Sequence, residues 1–394
     1  MINQEANTSR SPVSAGTASG AGTAARLAPR KFQPMALPPL PEQPLFSVLI
    51  PNYNYGRYLG ATLQSVLDQT YRNFEVIVCD DGSKDNSRDV VQEYARRDSR
   101  IRLVAKQNGG FASALNKAYE NSQGKLIALL DADDGFKPRK LELALASLRN
   151  NPRSGFCVDR TQPVSAAGQP LGSPYPQYVD HGWIGPEKLR QGSLSSLPPT
   201  SGLSFRREVA EELFPIPLAI PRLIDCYLCS AQFLTEISVA TECLTRYRLH
   251  DAHLSGRRES AGQGDDPKPF WAMFDAEVQI RFVGELEDVL SAQKAFLARL
   301  YGAQIADSLR LEDHQGYWDS LLGIRALRGK RAGAIRPYTV EEMIGHVSRP
   351  ANKRMWRALM RLPDPLAKRA YRFWRGSSPL KRLAKAAVLP VIRR

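Results

Sequence analysis

Polar and acidic side chains gather at three points of the sequence, each directly after a short apolar run. The clusters are Pro-Asn-Tyr-Asn at 51–54, Asp-Asp-Gly-Ser at 80–83 and Asp-Ala-Asp-Asp at 131–134. Carboxylates packed closely together repel one another, and a bound cation relieves that repulsion. Their hard oxygen atoms suit Mg²⁺ or Mn²⁺ better than zinc, and such an ion keeps open positions that phosphate oxygens commonly fill. Asp131 and Asp133 therefore predict a divalent metal site that takes a phosphate-bearing ligand.

Each cluster also has a simpler structural explanation. Asp-Asp-Gly-Ser is common in turns, because Asp caps the turn and Gly tolerates a positive φ. The acids at 131–134 also suit the first turn of a helix, where the helix dipole favours negative charge. A site is favoured because the clusters follow successive apolar runs, which would bring them to one edge of a sheet.

Those apolar runs alternate with segments of helical periodicity. The runs at 46–50, 74–78, 101–104 and 126–130 predict strands, and apolar residues at helical spacing between and after them predict four helices. This alternation with short connections predicts an α/β fold, with a mixed, mostly parallel sheet flanked by helices. Ligands of such sheets bind beyond the carboxyl ends of the strands, which is where the three clusters lie.

Composition divides the 394 residues into four segments. The first is rich in Ser, Thr, Ala, Gly and Pro without periodicity, which predicts disorder. The second loosens from about residue 155 into Pro- and Gly-rich loops with isolated helices, and the third has helical periodicity at 270–290 and 292–309. The four segments are a disordered leader at 1–44, a globular domain at 45–255, a helical extension at 256–350 and a basic amphipathic tail at 351–394.

The composition excludes several classes of protein. Hydrophobic residues make up 43% of the chain and charged residues 24%, which is typical of a soluble globular protein. No apolar run reaches the roughly 18–20 residues that cross a bilayer, and the N-terminus lacks the layout of a signal peptide. The five cysteines, an odd number, do not suggest a disulfide framework, and they predict a cytoplasmic location.

Several segments together resemble glycosyltransferase family 2. The resemblance covers a little over half of the chain and rests on motifs in the family's order, at 46–54, 76–83, 108–116, 129–141, 200–206 and 247–250. Members of that family have a Rossmann-like GT-A domain, use nucleotide-diphosphate sugars as donors and bind a divalent metal. The resemblance thus implies a GT-A glycosyltransferase with Mg²⁺ or Mn²⁺ as cofactor.

The resemblance also implies roles in holding the nucleotide-sugar donor. Pro51 and Tyr53 would flank the base and the ribose, and Asp81 would accept a hydrogen bond from the base. Lys106 lies where the donor is approached closely. The glycines that follow it could serve the same purpose or simply provide backbone clearance.

A second set of roles concerns the metal. Asp131 would lie near the ribose and the metal, and Asp133 would be the principal metal ligand. Three further candidates for the metal or diphosphate surroundings are Asp134, Arg248 and His250. A lone histidine is more often structural, so a structural role for His250 is the alternative.

On the acceptor side, the family uses a carboxylate as general base, and Asp225 matches that position. Many relatives carry two acids together there, whereas the preceding residue here is Ile224. Asp225 could instead cap a helix that begins after it. A base that activates a hydroxyl for attack from the opposite face would invert the anomeric centre. No Gln-x-x-Arg-Trp signature of processive synthases occurs, which favours the transfer of one sugar at a time.

The net charge of +14 lies mostly in the C-terminal tail. Residues 351–394 hold 13 Lys and Arg against one acid, together with bulky apolar residues, whereas residues 45–350 are neutral. Short basic amphipathic helices are typical of peripheral attachment to anionic lipid, here at the inner face of the cytoplasmic membrane, where lipid-linked acceptors would be found. Docking of these helices on the catalytic domain is the alternative. Nucleic acid is not an expected partner, because no nucleic-acid-binding module accompanies the charge.

The function predicted from the sequence is transfer of a sugar from a nucleotide-diphosphate sugar to a hydroxyl on a glycan or lipid-linked acceptor. A nucleotidyltransferase is one alternative, although residues 51–54 lack the Gly-rich, Lys-containing phosphate loop that such an enzyme would need. A non-catalytic protein that binds nucleotide sugars or acts as a membrane scaffold is the other. The behaviour of Asp225 would discriminate between these alternatives.

Overall fold

The structure is a computed structural model. It describes residues 29–176, 179–191, 198–220, 222–250 and 276–309, together with Ala358 and Leu366. Most of the predicted basic tail and part of the predicted helical extension therefore lie outside the described residues. In the part of the chain that is described, no helix is both long enough and apolar enough to cross a membrane.

The first part of the domain alternates strands and helices as the apolar runs predict. Its elements are β1 (Phe46–Asn52), α1 (Gly56–Leu67), β2 (Phe74–Asp80), α2 (Ser87–Arg97), β3 (Ile101–Ala105), α3 (Phe111–Glu120) and β4 (Leu126–Leu129). These strands pair in parallel in the order β3-β2-β1-β4. Strands β1 and β4 are buried along their whole length, because helices cover both faces of the sheet. The four predicted strands are confirmed.

The second part of the domain extends the same sheet. Its elements are β5 (Gly135–Phe136), α4 (Lys140–Asn150), β6 (Ser154–Val164), α5 (Gly185–Gln191), β7 (Leu203–Arg206), α6 (Arg207–Leu213), α7 (Ile224–Leu228) and β8 (Glu236–Arg248). The eight strands have the order β3-β2-β1-β4-β7-β6-β8-β5, in which β7 is antiparallel to both neighbours and β6 and β8 are parallel. The sheet is therefore mixed, with four of its seven strand pairs parallel, as predicted.

The two long strands β6 and β8 replace the loops and isolated helices expected after residue 155. Strand β6 was not apparent in the sequence because polar residues interrupt its apolar pattern, and its pairing with β8 shifts register beside Arg160. Asp159 of β6 is buried against Lys140 and Thr245, which satisfy its charge. A strand with a charged residue at its centre is stable only when other segments supply partners for that residue, and the sequence of the strand alone does not show those partners.

Two hydrophobic clusters cover the two faces of the sheet. One contains apolar side chains of α1, α2 and α4, and the other contains those of α3, α6, α7 and the C-terminal helix α8 (Ala276–Tyr301). A short helix, α9 (Ala303–Ala306), follows Gly302, whose φ of 87° ends α8 in a conformation that favours glycine. Helix α8 thus runs through residue 291, where the sequence predicts a break between helices at 270–290 and 292–309, and the break falls instead at Gly302. The first residues of the predicted 270–290 helix, 270–275, lie outside the described residues.

Residues 29–44 pack on the domain, although the composition of residues 1–44 predicts a disordered leader. The backbone N–H of Met35 donates to the carbonyl of Leu234 at 2.7 Å, and that of Arg30 donates to the carbonyl of Leu300 at 2.8 Å. The Phe32 ring meets the Tyr301 ring edge-on at 5.0 Å. The apolar side chains of residues 29–44 give this segment a surface to bury. The composition averaged over residues 1–44 does not show this, because the first residues of the chain are mostly polar or small.

Candidate functional site

The three polar clusters meet at one edge of the sheet, because β1, β2 and β4 are parallel neighbours that end there. The Asn52 amide nitrogen donates to Asp80 Oδ2 at 2.9 Å, and the N–H of Asp81 donates to the Asn52 carbonyl at 2.8 Å. The first two clusters are thus in direct contact. The acidic cluster follows β4 on the other side of β1.

The acidic cluster comprises Asp131, Asp133 and Asp134. One carboxylate oxygen of each residue lies within 4.8 Å of one oxygen of each other residue. Asp133 and Asp134 are buried, and Asp131 is half-buried. A tight turn holds the cluster together, since the N–H of Asp134 donates to the Asp131 carbonyl at 3.0 Å.

Burial and mutual repulsion make this cluster electrostatically unfavourable without a cation. Burial raises the pKa of Asp131 well above its usual value, and the charges of Asp134, Asp133 and Asp225 raise that pKa further. Burial and Asp133 likewise raise the pKa of Asp134, although hydrogen bonds from Ser201 and Arg248 oppose the shift. A divalent ion would favour the charged form of these carboxyls.

The hydrogen bonding of the cluster fits a metal ion. Oδ1 of Asp131 is buried and has no hydrogen-bond partner among the described residues, so it is an acceptor that an ion would satisfy. Both oxygens of Asp134 accept bonds within the protein, from Ser201 Oγ at 2.6 Å and from the Arg248 N–H at 2.8 Å. The chemistry of the site therefore suits Mg²⁺ or Mn²⁺, with Asp131 better placed than Asp134 to serve as a ligand.

His250 lies directly against the acidic cluster. Its Nε2 is 3.0 Å from Asp133 Oδ2, and its ring is tilted by 31° over Tyr58 with 4.6 Å between the ring centres. Tyr55 meets the same imidazole edge-on at 5.7 Å. Burial raises the pKa of Tyr55, and the nearby charges of Asp133 and Asp131 raise it further by smaller amounts, so the Tyr55 hydroxyl stays neutral. The two tyrosines were not among the residues singled out from the sequence.

Arg248 connects the acidic turn to a neighbouring loop. Its Nε donates to the Asp133 carbonyl at 2.8 Å, and one terminal nitrogen donates to the Ala166 carbonyl at 2.7 Å. The guanidinium also lies 5.2 Å from the centre of the Tyr58 ring. The side chain is therefore held among carbonyl groups beside the cluster, where it fixes the shape of the acidic turn.

Asp81, which is buried, and Lys106, which is half-buried, form an ion pair at the end of β2. Lys106 Nζ is 2.5 Å from Asp81 Oδ1, and the N–H groups of Gly109 and Gly110 donate to the same carboxylate at 2.8–3.1 Å. Gly110 has a φ of 87°, which favours glycine at this position. Asp81 thus holds the loop that contains Lys106, a contact that sequence analysis did not predict.

The two remaining residues that were predicted to contact the donor, Pro51 and Tyr53, lie at the same edge of the sheet. Pro51 is buried within β1, whereas Tyr53 is 43% exposed just beyond the strand. Asn54 follows with a φ of 60°, and its side chain accepts a hydrogen bond from the N–H of Lys84 at 2.7 Å. The turn after β1 therefore presents the Tyr53 ring toward solvent beside the Asp81 loop.

Asp225, the candidate base, lies in the first turn of α7. Its Oδ1 accepts a hydrogen bond from the N–H of Cys226 at 2.9 Å, and the residue is half-buried. Its charge raises the pKa of Asp131, so the two carboxylates are within electrostatic reach of one another. Asp225 is not the N-cap of the helix, because α7 begins at Ile224 and is preceded by Leu223. The role of Asp225 as a base stays a prediction.

The fold is therefore a mixed α/β sheet of the GT-A type, and it carries an Asp-x-Asp turn after its fourth strand. The family model described as "Glycosyl transferase family 2" matches residues 47–214. An uncharacterized glycosyltransferase of Nostoc sp. is 34% identical over 231 residues, which are 55% of this chain and 69% of the relative.

Two further proteins are similar, one over a shorter stretch of sequence and one in structure at low sequence identity. A putative teichuronic acid biosynthesis glycosyltransferase of Bacillus subtilis is 39% identical over 142 residues, 35% of this chain and 53% of the relative. The structure of a mannosyltransferase of Pyrobaculum calidifontis, solved with GDP-Man and Mn²⁺, superposes with a TM-score of 0.46 at 17% sequence identity. The matched region covers 85% of this chain and 88% of the mannosyltransferase chain. On the family match and the Nostoc relative, the chain belongs to glycosyltransferase family 2, and it is a nucleotide-sugar-dependent glycosyltransferase.

Proposed function

We propose that this enzyme transfers one sugar from a nucleotide-diphosphate sugar to a hydroxyl acceptor in a metal-dependent, inverting reaction. The observation that carries the proposal is the meeting of Asp131, Asp133 and Asp134 within 4.8 Å of one another, with one Asp131 oxygen left unsatisfied by the described residues. Three acids gathered in this way are costly to fold unless a cation binds among them.

Asp131 and Asp133 would hold the Mg²⁺ or Mn²⁺ ion, while Asp134 supports the turn. When bound, the ion would neutralise the charge that develops on the departing diphosphate. His250 would orient the Asp133 carboxylate through the contact at 3.0 Å. Arg248 would keep the acidic turn in shape through its bond to the Asp133 carbonyl.

The nucleotide would bind over the ends of β1 and β2. The exposed ring of Tyr53 offers a surface for the base, with Pro51 behind it, and Asp81 would approach the polar edge of the base. Because Asp81 already binds Lys106 and the glycine loop, we infer that donor binding rearranges this carboxylate's partners. Lys106 would then be free to turn its ammonium group toward the donor.

Asp225 would act as the general base. Its carboxylate would accept the proton of the acceptor hydroxyl while the hydroxyl oxygen attacks the anomeric carbon from the face opposite the diphosphate. The bond to the diphosphate oxygen breaks as the new glycosidic bond forms, and the configuration inverts. The charge of Asp225 raises the pKa of Asp131, which supports a position of Asp225 near the proposed metal site.

The acceptor is proposed to be a glycan or lipid-linked precursor of a cell-surface polysaccharide. The name of the Bacillus subtilis relative, a putative enzyme of teichuronic acid biosynthesis, supports this class of acceptor. The basic residues of the tail at 351–394 would hold the enzyme at the inner face of the cytoplasmic membrane. Sedimentation with anionic vesicles tests this, since equal pelleting of the full chain and of residues 1–350 would exclude attachment through the tail.

The metal site is tested by calorimetry with a panel of UDP-, GDP- and dTDP-sugars in the presence and absence of Mn²⁺. We expect Mn²⁺ to strengthen binding of the preferred donor, and Asp133→Ala to remove that dependence. Asp89→Ala, a change at an exposed aspartate on α2, is the matched control and should bind as the unmodified enzyme does. Donor binding by Asp133→Ala that still responds to Mn²⁺ would contradict the metal assignment.

The base is tested separately with Asp225→Asn. We expect the turnover number to fall by about 10²–10⁴-fold while donor affinity is retained, because proton transfer contributes a factor of that size. Unchanged transfer by this variant would mean that Asp225 is not the base. A chain that binds donor and metal but transfers no sugar to any acceptor tested would favour the non-catalytic alternative.

A further inference from the structure

Ser201 is a buried serine that joins the acidic turn to the centre of the sheet. It lies in the single helical turn Thr200–Gly202 before β7, with no exposed surface. Its Oγ accepts a hydrogen bond from the N–H of Asp131 at 3.0 Å and donates one to Asp134 Oδ2 at 2.6 Å. One hydroxyl thus contacts both ends of the acidic cluster across about 70 residues of sequence.

We propose that Ser201 is a positioning residue that selects which carboxylates of the cluster face the divalent ion. The inference rests on the metal site proposed above. Ser201 touches neither donor nor acceptor in this scheme, and it acts through Asp131 and Asp134.

The selection follows from counting the acceptor atoms of the cluster. Ser201 occupies Oδ2 of Asp134, and the N–H of Arg248 occupies Oδ1, so both oxygens of that carboxylate face protein donors. Oδ1 of Asp131 receives no bond from the described residues. Of the two carboxylates joined to Ser201, Asp131 therefore keeps an open acceptor for a cation, and the bond from its own N–H to Ser201 fixes the backbone that carries it.

Ser201 is itself firmly anchored. Its carbonyl oxygen lies 3.2 Å from Thr245 Oγ1 and 3.5 Å from Lys140 Nζ. Lys140 forms a buried ion pair with Asp159, and Thr245 Oγ1 is 2.9 Å from the same carboxylate. Strands β6 and β8 thus hold the serine in place. A hydroxyl on so rigid a support orients metal ligands in the way that partners behind a metal's direct ligands do.

Ser201→Ala tests the proposal, with Ser204→Ala as a matched control. Ser204 lies three residues further on in β7 and is equally buried, and its Oγ has no hydrogen-bond partner among the described residues. Mn²⁺ affinity is measured by electron paramagnetic resonance, and transfer is measured against Mn²⁺ concentration. We expect Ser201→Ala to weaken Mn²⁺ binding by about 10–100-fold, with the turnover number largely regained at saturating Mn²⁺, whereas Ser204→Ala binds Mn²⁺ normally.

A second variant separates the loss of the hydrogen bond from a loss of folding. Ser201→Cys keeps the size of the side chain but offers only a weak donor, so it should weaken Mn²⁺ binding in the same direction. Unchanged Mn²⁺ affinity in folded Ser201 variants would overturn the proposal. Tighter binding would do so as well, because it would mean that Ser201 only competes with the ion for Asp134 and does not orient Asp131 for it. If the unmodified enzyme binds no Mn²⁺, the metal site itself is refuted, and the role of Ser201 with it.

Discussion

Replacing Lys140 with methionine should destabilise the domain severely, because it leaves a buried carboxylate without its partner. Lys140 and Asp159 are each only 1% exposed, and their ion pair lies at the centre of the sheet beneath Ser201. Breaking a buried pair by removing one partner costs about 3–5 kcal/mol of unfolding free energy. At about 2–4 °C per kcal/mol for domains of about 150–250 residues, the melting temperature should fall by about 6–20 °C.

The loss should also depend on pH in a definite direction. Burial raises the pKa of Asp159, and Lys140 opposes that shift, so removing the lysine should raise the pKa further. A carboxyl whose folded-state pKa is raised binds its proton more tightly when folded, so its presence disfavours folding as the pH rises through that range. Lys140→Met should therefore lose more stability at pH 8 than at pH 5, where the carboxyl is closer to its neutral form.

Urea denaturation at both pH values measures these effects. Lys140→Met/Asp159→Asn leaves no unpaired charge and should recover most of the lost stability, whereas Lys117→Met removes an exposed pair with Glu120 and should change stability by less than about 1 kcal/mol. A loss below about 1 kcal/mol for Lys140→Met, equal at both pH values, would refute the reasoning, because the site would then be open to water.

Three further changes test the loops and helices around the site. Asp81→Asn should weaken donor binding by about tenfold, measured by calorimetry, because the proposed hydrogen bond from the nucleotide base would lose its charged acceptor. Gly110→Ala should cost about 1–2 kcal/mol in urea denaturation because of its φ of 87°, whereas Gly60→Ala within α1 should be neutral or stabilising. Tyr301→Phe should lower the free energy of unfolding by about 0.5–1.5 kcal/mol, since its hydroxyl donates to the Phe233 carbonyl at 2.7 Å.

The donor-side half of the site could be predicted from the sequence because its strands are continuous apolar runs. Once β1, β2 and β4 are recognised as parallel neighbours, the residues that follow them must share an edge. The meeting of the polar residues near Asn52 and Asp81 follows from that topology alone. The same logic places Asp131 and Asp133 beside them.

The hydrogen bonds that organise the acids could not be predicted in this way. Ser201 reaches Asp134 across 67 residues, and His250 reaches Asp133 across 117. Such contacts depend on how β6, β7 and β8 join the sheet. Polar residues in the middle of β6 interrupt its apolar periodicity, so the sequence pattern does not predict that strand. His250 was singled out only because the segment around it resembles the family.

Helix α8 packs on α7, the helix that carries Asp225. Asp225, the proposed base, lies on α7, beyond the 47–214 segment that the family model matches. Gln293 of α8 donates to the Cys226 carbonyl at 2.8 Å, directly after Asp225, and Leu297 of the same helix is buried in the core shared with α7. The position of Asp225 relative to the acidic turn therefore depends on a helix outside the predicted 45–255 domain. Because residues 29–44 pack in turn on the end of α8, the proposed domain boundaries at 44 and 255 divide a single hydrophobic core, and catalysis should require the segments on both sides of them.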